Sequence, residues 1–279
     1  MQKTYYKNME KLYMNKKFNI EEFLLKYPHT KSIIDERNIN ERNLTKIYED
    51  YLECKFSYES RANFIANILR AQEKVHTVKT RIKDEERLIE KIIRKTEDRQ
   101  NKYGKDFQFT VENYKEEITD LIGIRVIHIF KEQWRDIHEF IMKTWNVVEI
   151  TANVREGDNI KDFEDLNIEV KSRASGYRSV HYLVEFYPTN EKVIAEIQVR
   201  TIFEEGYGEI DHTLRYSNNE IPEILKSNIL LFNRIIGSAD EMASLINALS
   251  KDWNDKEANY KKIIEKQKKE IARLRQLEK

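Results

Sequence analysis

The sequence predicts an α+β protein in which helices flank a mixed sheet of about five strands. Glycine and proline are scarce, with 7 and 3 residues in a chain of 279, which argues against a turn-rich all-β fold. Apolar residues at helical spacing dominate both ends of the chain, whereas the middle contains short β-branched segments. The length suits one large domain or a core domain with appendages.

Composition narrows the range of functions. The 49 Lys and Arg residues balance the 49 Asp and Glu residues, so any affinity for nucleotides or RNA has to come from local patches. The single cysteine, Cys54, excludes an intramolecular disulfide and a multi-cysteine zinc site. No apolar run approaches transmembrane length, and the first residues lack the apolar stretch of a signal peptide. We therefore expect a cytoplasmic protein without a membrane partner.

Both ends of the chain are predicted to be helical. Residues 1–72 are expected to form an N-terminal helical region with a break at Pro28, and residues 219–279 a C-terminal helical extension. The stretch 73–98, with a narrow apolar stripe, is predicted to be a helix as well. The last 26 residues carry nine Lys or Arg against five Asp or Glu. A solvated helix explains this basic segment better than RNA binding does.

The middle of the chain alternates between the two kinds of pattern. Residues 131–145 have helical periodicity, and residues 155–167 form a polar stretch that is expected to be a loop. The segment YPTNE has the length and composition of a hairpin turn. The predicted strands are 121–130, 146–154, 168–173, 178–186 and 192–201.

The last predicted strand contains the segment EIQVRT, in which polar and apolar residues alternate. Because successive side chains of a strand point to opposite faces, Glu196, Gln198 and Arg200 share one face and the apolar residues share the other. A solvated face of an antiparallel sheet explains such a row, and for this strand alone it is the preferred explanation.

Other segments carry residues suited to nucleotide chemistry. Gly176 can adopt backbone conformations that other residues avoid, and so can present Tyr177 from a loop for stacking on a base. Asp120, before a strand, and Glu196 together offer two oxygen ligands for Mg²⁺. Each residue alone has an ordinary explanation, as a turn former or a core contact. The segment 79–91 adds a group of cations: Lys79, Arg81, Lys83, Arg87 and Lys91.

A cation cluster, a pair of carboxylates and a stacking tyrosine together favour phosphoryl-type transfer between nucleotides. Catalysis of such a transfer consists mostly of positioning and charge neutralisation.

Four segments resemble, in order and spacing, the synthetase domain of the RelA/SpoT family. They are VHTVKTRIKDEERLIEKIIRK, DLIGIRVIHIF, SGYRSVHYLVEF and EIQVRTIFEEGYGEIDHTLRY. The resemblance covers residues 73–216, and the combination is specific although no single segment is. It implies a stand-alone small alarmone synthetase with a nucleotidyltransferase-type fold at residues 73–218. The sequence has no His-Asp hydrolase motif of the long family members.

The resemblance implies a Mg²⁺-dependent transfer of the β,γ-pyrophosphate of ATP to the 3′-hydroxyl of GDP or GTP, which yields AMP and ppGpp or pppGpp. On the ATP side, Arg81 and Arg125 match arginines beside the adenine, and Lys83 and Lys91 match phosphate contacts. Asp120 matches the aspartate that binds the metal. Some family members form homo-oligomers through flanking helices, so the resemblance also implies an oligomer here.

The acceptor side is matched in the same way. Tyr177 matches the tyrosine that stacks on guanine, and His181 matches a contact to the acceptor nucleotide. Glu196 matches the glutamate that binds metal and helps to deprotonate the 3′-hydroxyl, and Gln198 and Arg200 extend its polar face. Where the family often has Lys and Asn-Gly before the tyrosine, this chain has SRASGY, with Arg173 in the acceptor site. The choice between GDP and GTP therefore stays open.

Three alternatives remain at this stage. Toxin-type relatives place pyrophosphate on the 3′ end of tRNA. A non-catalytic nucleotide or RNA sensor would bind without transfer, although a pure binder does not need a pair of carboxylates for metal. A helical partner-binding module at residues 221–279 would not need Glu196 at all.

Overall fold

The structure is a computed structural model that describes residues 16–188, 191–217 and 222–277. The described residues before the first strand form three helices: α1 (Ile20–Lys26), α2 (Thr30–Glu36) and α3 (Glu41–Arg70). The predicted break at Pro28 is confirmed, because it lies between α1 and α2. Residues 1–15 of the predicted helical region, part of the predicted hairpin turn, and the two ends of the predicted C-terminal extension lie outside the described residues.

The central part of the chain alternates between strands and helices. Its strands are β1 (Thr77–Ile82), β2 (Ile122–His128), β3 (Asn146–Val154), β4 (Glu169–Ser172), β5 (Ser179–Phe186) and β6 (Val193–Thr201). Its helices are α4 (Glu85–Tyr103), α5 (Tyr114–Glu117), a 3₁₀ turn (Lys131–Gln133), α6 (Trp134–Thr144) and α7 (Lys161–Glu164). Two helices follow: α8 (Ile202–Ser217) and α9 (Glu223–Leu277).

The six strands form one mixed sheet in the order β1-β2-β6-β5-β3-β4. All five predicted strands are present, but the helix predicted for 73–98 is wrong at its start, where β1 lies. Its alternating charges, Lys79 and Arg81, hid a strand at the edge of the sheet. Such charged residues are typical of edge strands, which they protect from pairing with other chains. The polar loop predicted for 155–167 also contains the short helix α7.

The two faces of β6 have different environments, as predicted. Val193, Ala195, Ile197 and Val199 are all buried and form part of the core with apolar residues of β2 and β5. On β5, Tyr182 is fully buried, and its hydroxyl lies 3.1 Å from Nδ1 of His138 on α6. The opposite face of β6 carries Glu196 and Gln198, which are half-buried.

The start of α4 is held firmly in place, and this fixes Lys83 two residues before it. Asp84 caps the helix by accepting hydrogen bonds from the backbone N–H groups of Glu86 and Arg87. The Tyr51 hydroxyl donates to the backbone carbonyl of Lys83 at 2.6 Å. Although burial alone raises the pKa of Glu85, hydrogen bonds from Lys16 and Lys55 lower it to about 2.

The described residues group into two compact units. The first contains the chain up to Ile127 and Asp136–Arg200, and the second contains His128–Arg135 and the chain from Thr201. In the second unit, the rings of Tyr207 on α8 and Phe232 on α9 lie 6.4 Å apart. The Thr201 hydroxyl bonds to buried Asp240 at 3.1 Å. Among the described residues, no helix is both long and apolar enough to cross a membrane.

Candidate active site

A closed ring of hydrogen bonds covers the polar face of β5 and β6. Gln198 lies opposite His181 in the antiparallel register. Its side-chain Nε2 donates to Glu196 Oε2 at 2.6 Å, and Glu196 Oε1 lies 3.1 Å from His181 Nδ1. His181 Nε2 lies 3.0 Å from the Tyr177 hydroxyl. Arg200 closes the ring, because its Nη2 donates to the Tyr177 hydroxyl at 2.8 Å and also to Gln198 Oε1.

The donor and acceptor groups of these side chains fix which group donates in each hydrogen bond of the ring. A guanidinium can only donate, so the Tyr177 hydroxyl accepts from Arg200 and donates its own hydrogen to Nε2 of His181. The carboxylate of Glu196 can only accept, so Nδ1 of His181 carries a hydrogen. Every donor in the ring then faces an acceptor. The five side chains therefore orient one another, with the carboxylate of Glu196 accepting from two of them.

Tyr177 is placed by the loop that precedes β5. Gly176 has φ of 75°, a left-handed conformation that favours glycine, as the sequence predicts. The tyrosine is half-buried rather than exposed, and Arg200 lies 5.2 Å from its ring centroid. Burial raises the pKa of the Tyr177 hydroxyl, although the charge of Arg200 opposes that shift. The hydroxyl is thus held in its protonated, hydrogen-donating form.

Arg173 lies at the other end of this loop, outside the hydrogen-bond ring. Its Nε donates to Oδ1 of Asn153 at 2.6 Å, and its backbone N–H donates to the carbonyl of Val154 at 2.8 Å. Asn153 is buried, and its Nδ2 donates to the carbonyl of Ser179 at 3.3 Å. Asn153 is not among the residues predicted from the sequence, because an asparagine within a β-branched segment gives no signal that distinguishes it from a surface residue.

A second cluster surrounds Asp120, just before β2. Oδ2 of Asp120 accepts from Lys83 Nζ at 2.6 Å and lies 2.9 Å from Lys91 Nζ. Burial alone raises the pKa of Asp120, but the charges of both lysines outweigh it and the net pKa is lowered. Burial lowers the pKa of Lys83, and Asp120 partly opposes this shift. Lys83, just before α4, and Lys91, within it, thus share one aspartate.

The predicted adenine contacts lie on the two strands at one edge of the sheet. In the antiparallel pair of β1 and β2, Arg81 lies opposite Gly123 and Lys79 lies opposite Arg125, so all four residues share one face. Arg81 is exposed to solvent. The charge of Arg125 opposes the rise in the pKa of Tyr177, so Arg125 lies within electrostatic range of the hydrogen-bond ring.

Asp120 and Glu196 are close enough for the charge of Asp120 to raise the pKa of Glu196. Burial raises that pKa too, but hydrogen bonds from His181 and Gln198 outweigh both effects, and the net pKa is lowered. Glu196 is therefore a carboxylate at neutral pH.

The residues fit a divalent cation. Oδ1 of Asp120 is buried and has no hydrogen-bond partner within the described part of the chain, so one carboxylate oxygen is available to a ligand. In the described ranges no group of three or more His, Cys, Asp or Glu residues could hold a metal alone. Two carboxylates completed by phosphate oxygens and water form the donor set that suits Mg²⁺.

A second residue outside the predicted set lies on the same helix as Lys91. Lys95 is half-buried, and burial, together with the charges of Lys91 and Arg99, lowers its pKa. The spacing of four residues from Lys91 was the available signal, because side chains four apart share one face of a helix.

Comparisons with known proteins identify the family of this chain. A family model described as "Region found in RelA / SpoT proteins" matches residues 80–221. The GTP pyrophosphokinase YwaC of Bacillus subtilis (strain 168) is 30% identical over 202 residues, which cover 68% of this chain and 80% of that protein.

Two solved structures share the fold. The small alarmone synthetase 1 from Bacillus subtilis bound to its product pppGpp aligns with a TM-score of 0.54 and 19% identity, over 70% of this chain and 94% of that chain. The same synthetase bound to AMPCPP aligns with a TM-score of 0.50 and 19% identity, over 73% and 95% of the two chains. The predicted α+β fold of nucleotidyltransferase type is confirmed. The chain belongs to the RelA/SpoT family.

Proposed function

We propose that this chain is a GTP pyrophosphokinase, which transfers the β,γ-pyrophosphate of ATP to the 3′-hydroxyl of GDP or GTP and releases AMP. The observation that carries the proposal is a pair of anchored carboxylates: Asp120 is held by Lys83 and Lys91, and Glu196 is held by His181 and Gln198. Family membership supplies the reaction class, and the name of the relative YwaC agrees with it.

Glu196 is the proposed general base. A ribose hydroxyl is a poor nucleophile, and a carboxylate within hydrogen-bond reach can accept its proton as the new bond forms. In the reaction, the 3′-oxygen bonds to the β-phosphorus of ATP while the bond from that phosphorus to the oxygen of AMP breaks. Contacts from His181 and Gln198 hold the carboxylate in a single orientation before the substrate arrives. Such preorganisation lowers the entropic cost of the step.

On the ATP side, Lys83 and Lys91 are the proposed phosphate contacts. The ammonium groups of both lysines contact Oδ2 of Asp120 and so lie close together, which allows both charges to act on the triphosphate. Arg81 and Arg125 share a face on β1 and β2 and are proposed to flank the adenine. Planar guanidinium groups stack on aromatic rings, which suits this position.

Tyr177 is proposed to stack on the guanine of the acceptor, and His181, Gln198, Arg200 and Arg173 to line the acceptor site. The hydrogen bonds that join its hydroxyl to His181 and Arg200 orient the Tyr177 ring, whereas a base would stack on a face of that ring.

Mg²⁺ is the proposed cofactor, and Asp120 and Glu196 would hold it. When bound, it would neutralise charge on the transferred phosphates. The free Oδ1 atom of Asp120 supports this assignment. Lys83 and Lys91 stay paired with Oδ2 of the same carboxylate, so a cation on Oδ1 does not need to displace them.

The test is product analysis with γ-labelled ATP and Mg²⁺, with GDP, GTP or deacylated tRNA as acceptors in parallel reactions. We expect the label to move to GDP or GTP and AMP to appear in equal amount. Label that moves only to tRNA would contradict the proposal and identify a toxin-type enzyme. Nucleotide binding without any transfer would instead identify a sensor. The cytoplasmic location inferred from the sequence stays a prediction.

We also propose a homo-oligomer formed through the helix α9. Its second half leaves large apolar side chains exposed, and Trp253 is 71% exposed. Further exposed members of this row are Leu249, Tyr260, Ile264 and Ile271. We expect light scattering to give at least twice the chain mass of 33.6 kDa, and Trp253→Lys to shift the mass towards the monomer. A monomeric mass for the unchanged protein would contradict the proposal.

A further inference from the structure

We propose that Asp158 and Arg178 form a positioning pair that holds the loop of Tyr177 in place for the acceptor nucleotide. The inference rests on the proposed function and adds two residues to the acceptor site. Neither residue belongs to the hydrogen-bond ring. Their role is to fix the backbone from which Tyr177 reaches the ring.

The pair has the geometry of a strong ionic contact. Arg178 donates from Nε to Oδ2 of Asp158 at 2.6 Å and from Nη2 to Oδ1 at 2.9 Å, which makes the contact bidentate. The side chain of Arg178 is 9% exposed and that of Asp158 is 16% exposed, so water screens the contact little. Although burial raises the pKa of Asp158, its hydrogen bonds with Arg178 and Arg155 outweigh this, and the pKa is lowered.

The partner carboxylate is itself anchored. The backbone N–H of Arg155 donates to Oδ2 of Asp158 at 2.9 Å, and the N–H of Asp158 donates to the carbonyl of Arg155 at 3.1 Å. These bonds close a tight turn directly after β3. Asp158 therefore presents its carboxylate from a fixed point in the turn that follows β3.

The loop of Tyr177 is tied down at both ends. At one end, Arg173 is bonded to Asn153 and to the backbone of Val154, the last residue of β3. At the other end, Arg178 directly follows Tyr177 and is bonded to Asp158. Between the anchors, Gly176 supplies the left-handed turn. Arg178 is adjacent to Tyr177, whereas Arg173 lies four residues before it. The Asp158–Arg178 contact is therefore the anchor that controls the direction in which the tyrosine leaves the loop.

Loss of this contact should act on one substrate only. ATP is proposed to bind through β1 and α4, whereas Tyr177 belongs to the acceptor site. A misplaced binding group can cost up to about 100-fold in catalytic efficiency. We expect Asp158→Asn to raise KM for GDP or GTP about ten-fold and to leave KM for ATP nearly unchanged. The melting temperature should fall, because a mostly buried guanidinium loses its charged partner. The conservative variant Arg178→Lys keeps the charge but loses the bidentate fork, and should give a smaller rise.

The experiment compares Asp158→Asn and Arg178→Lys with Asp165→Asn, which removes an exposed carboxylate from the same β3–β4 connection. KM is measured for each substrate at saturation of the other. In the free proteins, amide hydrogen exchange is followed for 173–178 and, as an internal reference, for β6. We expect amide exchange at 173–178 to be faster in Asp158→Asn than in the unchanged protein, and unaltered in Asp165→Asn. Exchange in β6 should be the same in all of these proteins.

Several outcomes would overturn the inference. Equal rises of both KM values would identify a general structural role, and an unchanged acceptor KM in both variants would remove the positioning role. If the unchanged chain transfers no pyrophosphate, the proposed function fails instead. In that case the exchange data still test whether the Asp158–Arg178 pair holds the loop of Tyr177. Unchanged exchange at 173–178 in Asp158→Asn would show that it does not.

Discussion

Moving the carboxylate of Glu196 two residues along β6 is expected to lower the rate of pyrophosphate transfer about 10³-fold while the protein stays folded. The double variant Glu196→Gln with Gln198→Glu keeps the composition, the net charge and the polar face. The new Gln accepts from His181 and donates to the new Glu, which in turn accepts from Arg200. The hydrogen-bond ring is therefore retained, but the carboxylate lies about 6.6 Å from its original position along the strand.

The expected loss is about 10³-fold in kcat, within the range for removal of a general base. The single variant Glu196→Gln should lose as much activity, but it also brings two hydrogen donors face to face at Gln198 and so disturbs the ring. Comparison of the two variants distinguishes activity lost because the carboxylate has moved from activity lost because the hydrogen-bond ring is disturbed. The measurement is single-turnover transfer of labelled phosphate with GDP, together with thermal unfolding. Transfer at the original rate in the double variant would remove Glu196 from its proposed role.

Asp120→Asn should have the second largest effect. We expect Mg²⁺-dependent transfer to fall about 10³-fold, as loss of several kcal/mol of charge stabilisation implies. The same variant should bind ATP more tightly when Mg²⁺ is absent. Lys83 and Lys91 lose the carboxylate that they share, and the repulsion between that carboxylate and the triphosphate disappears.

Two quantities are measured: ATP binding by calorimetry, with and without Mg²⁺, and the rate of pyrophosphate transfer. Asp106→Asn is the matched control, because Asp106 is an exposed aspartate that follows α4. The control should leave both quantities unchanged. Unchanged transfer in Asp120→Asn would contradict the assignment of Asp120 as a metal ligand, and weaker ATP binding without Mg²⁺ would contradict the electrostatic argument.

Local sequence patterns were sufficient for most of the sheet. The alternation in β6 identified its polar face, and the β-branched segments identified five strands, because the period of two is a direct consequence of the pleat. The edge strand β1 was not predicted as a strand. Its two apolar residues, Val78 and Ile82, are separated by charged and polar residues, and the segment is a strand because it pairs with β2 along its whole length.

The sequence by itself determined the family and the residue types of the site, because the motifs are short and their members lie two to four residues apart. Tertiary structure alone decided which groups meet across the sheet. Lys83 and Asp120 are 37 residues apart, Tyr177 and Arg200 are 23 apart, and Asp158 and Arg178 are 20 apart. Contacts of that range depend on strand order and register. No local pattern encodes these, because they arise only when the whole sheet buries its apolar face.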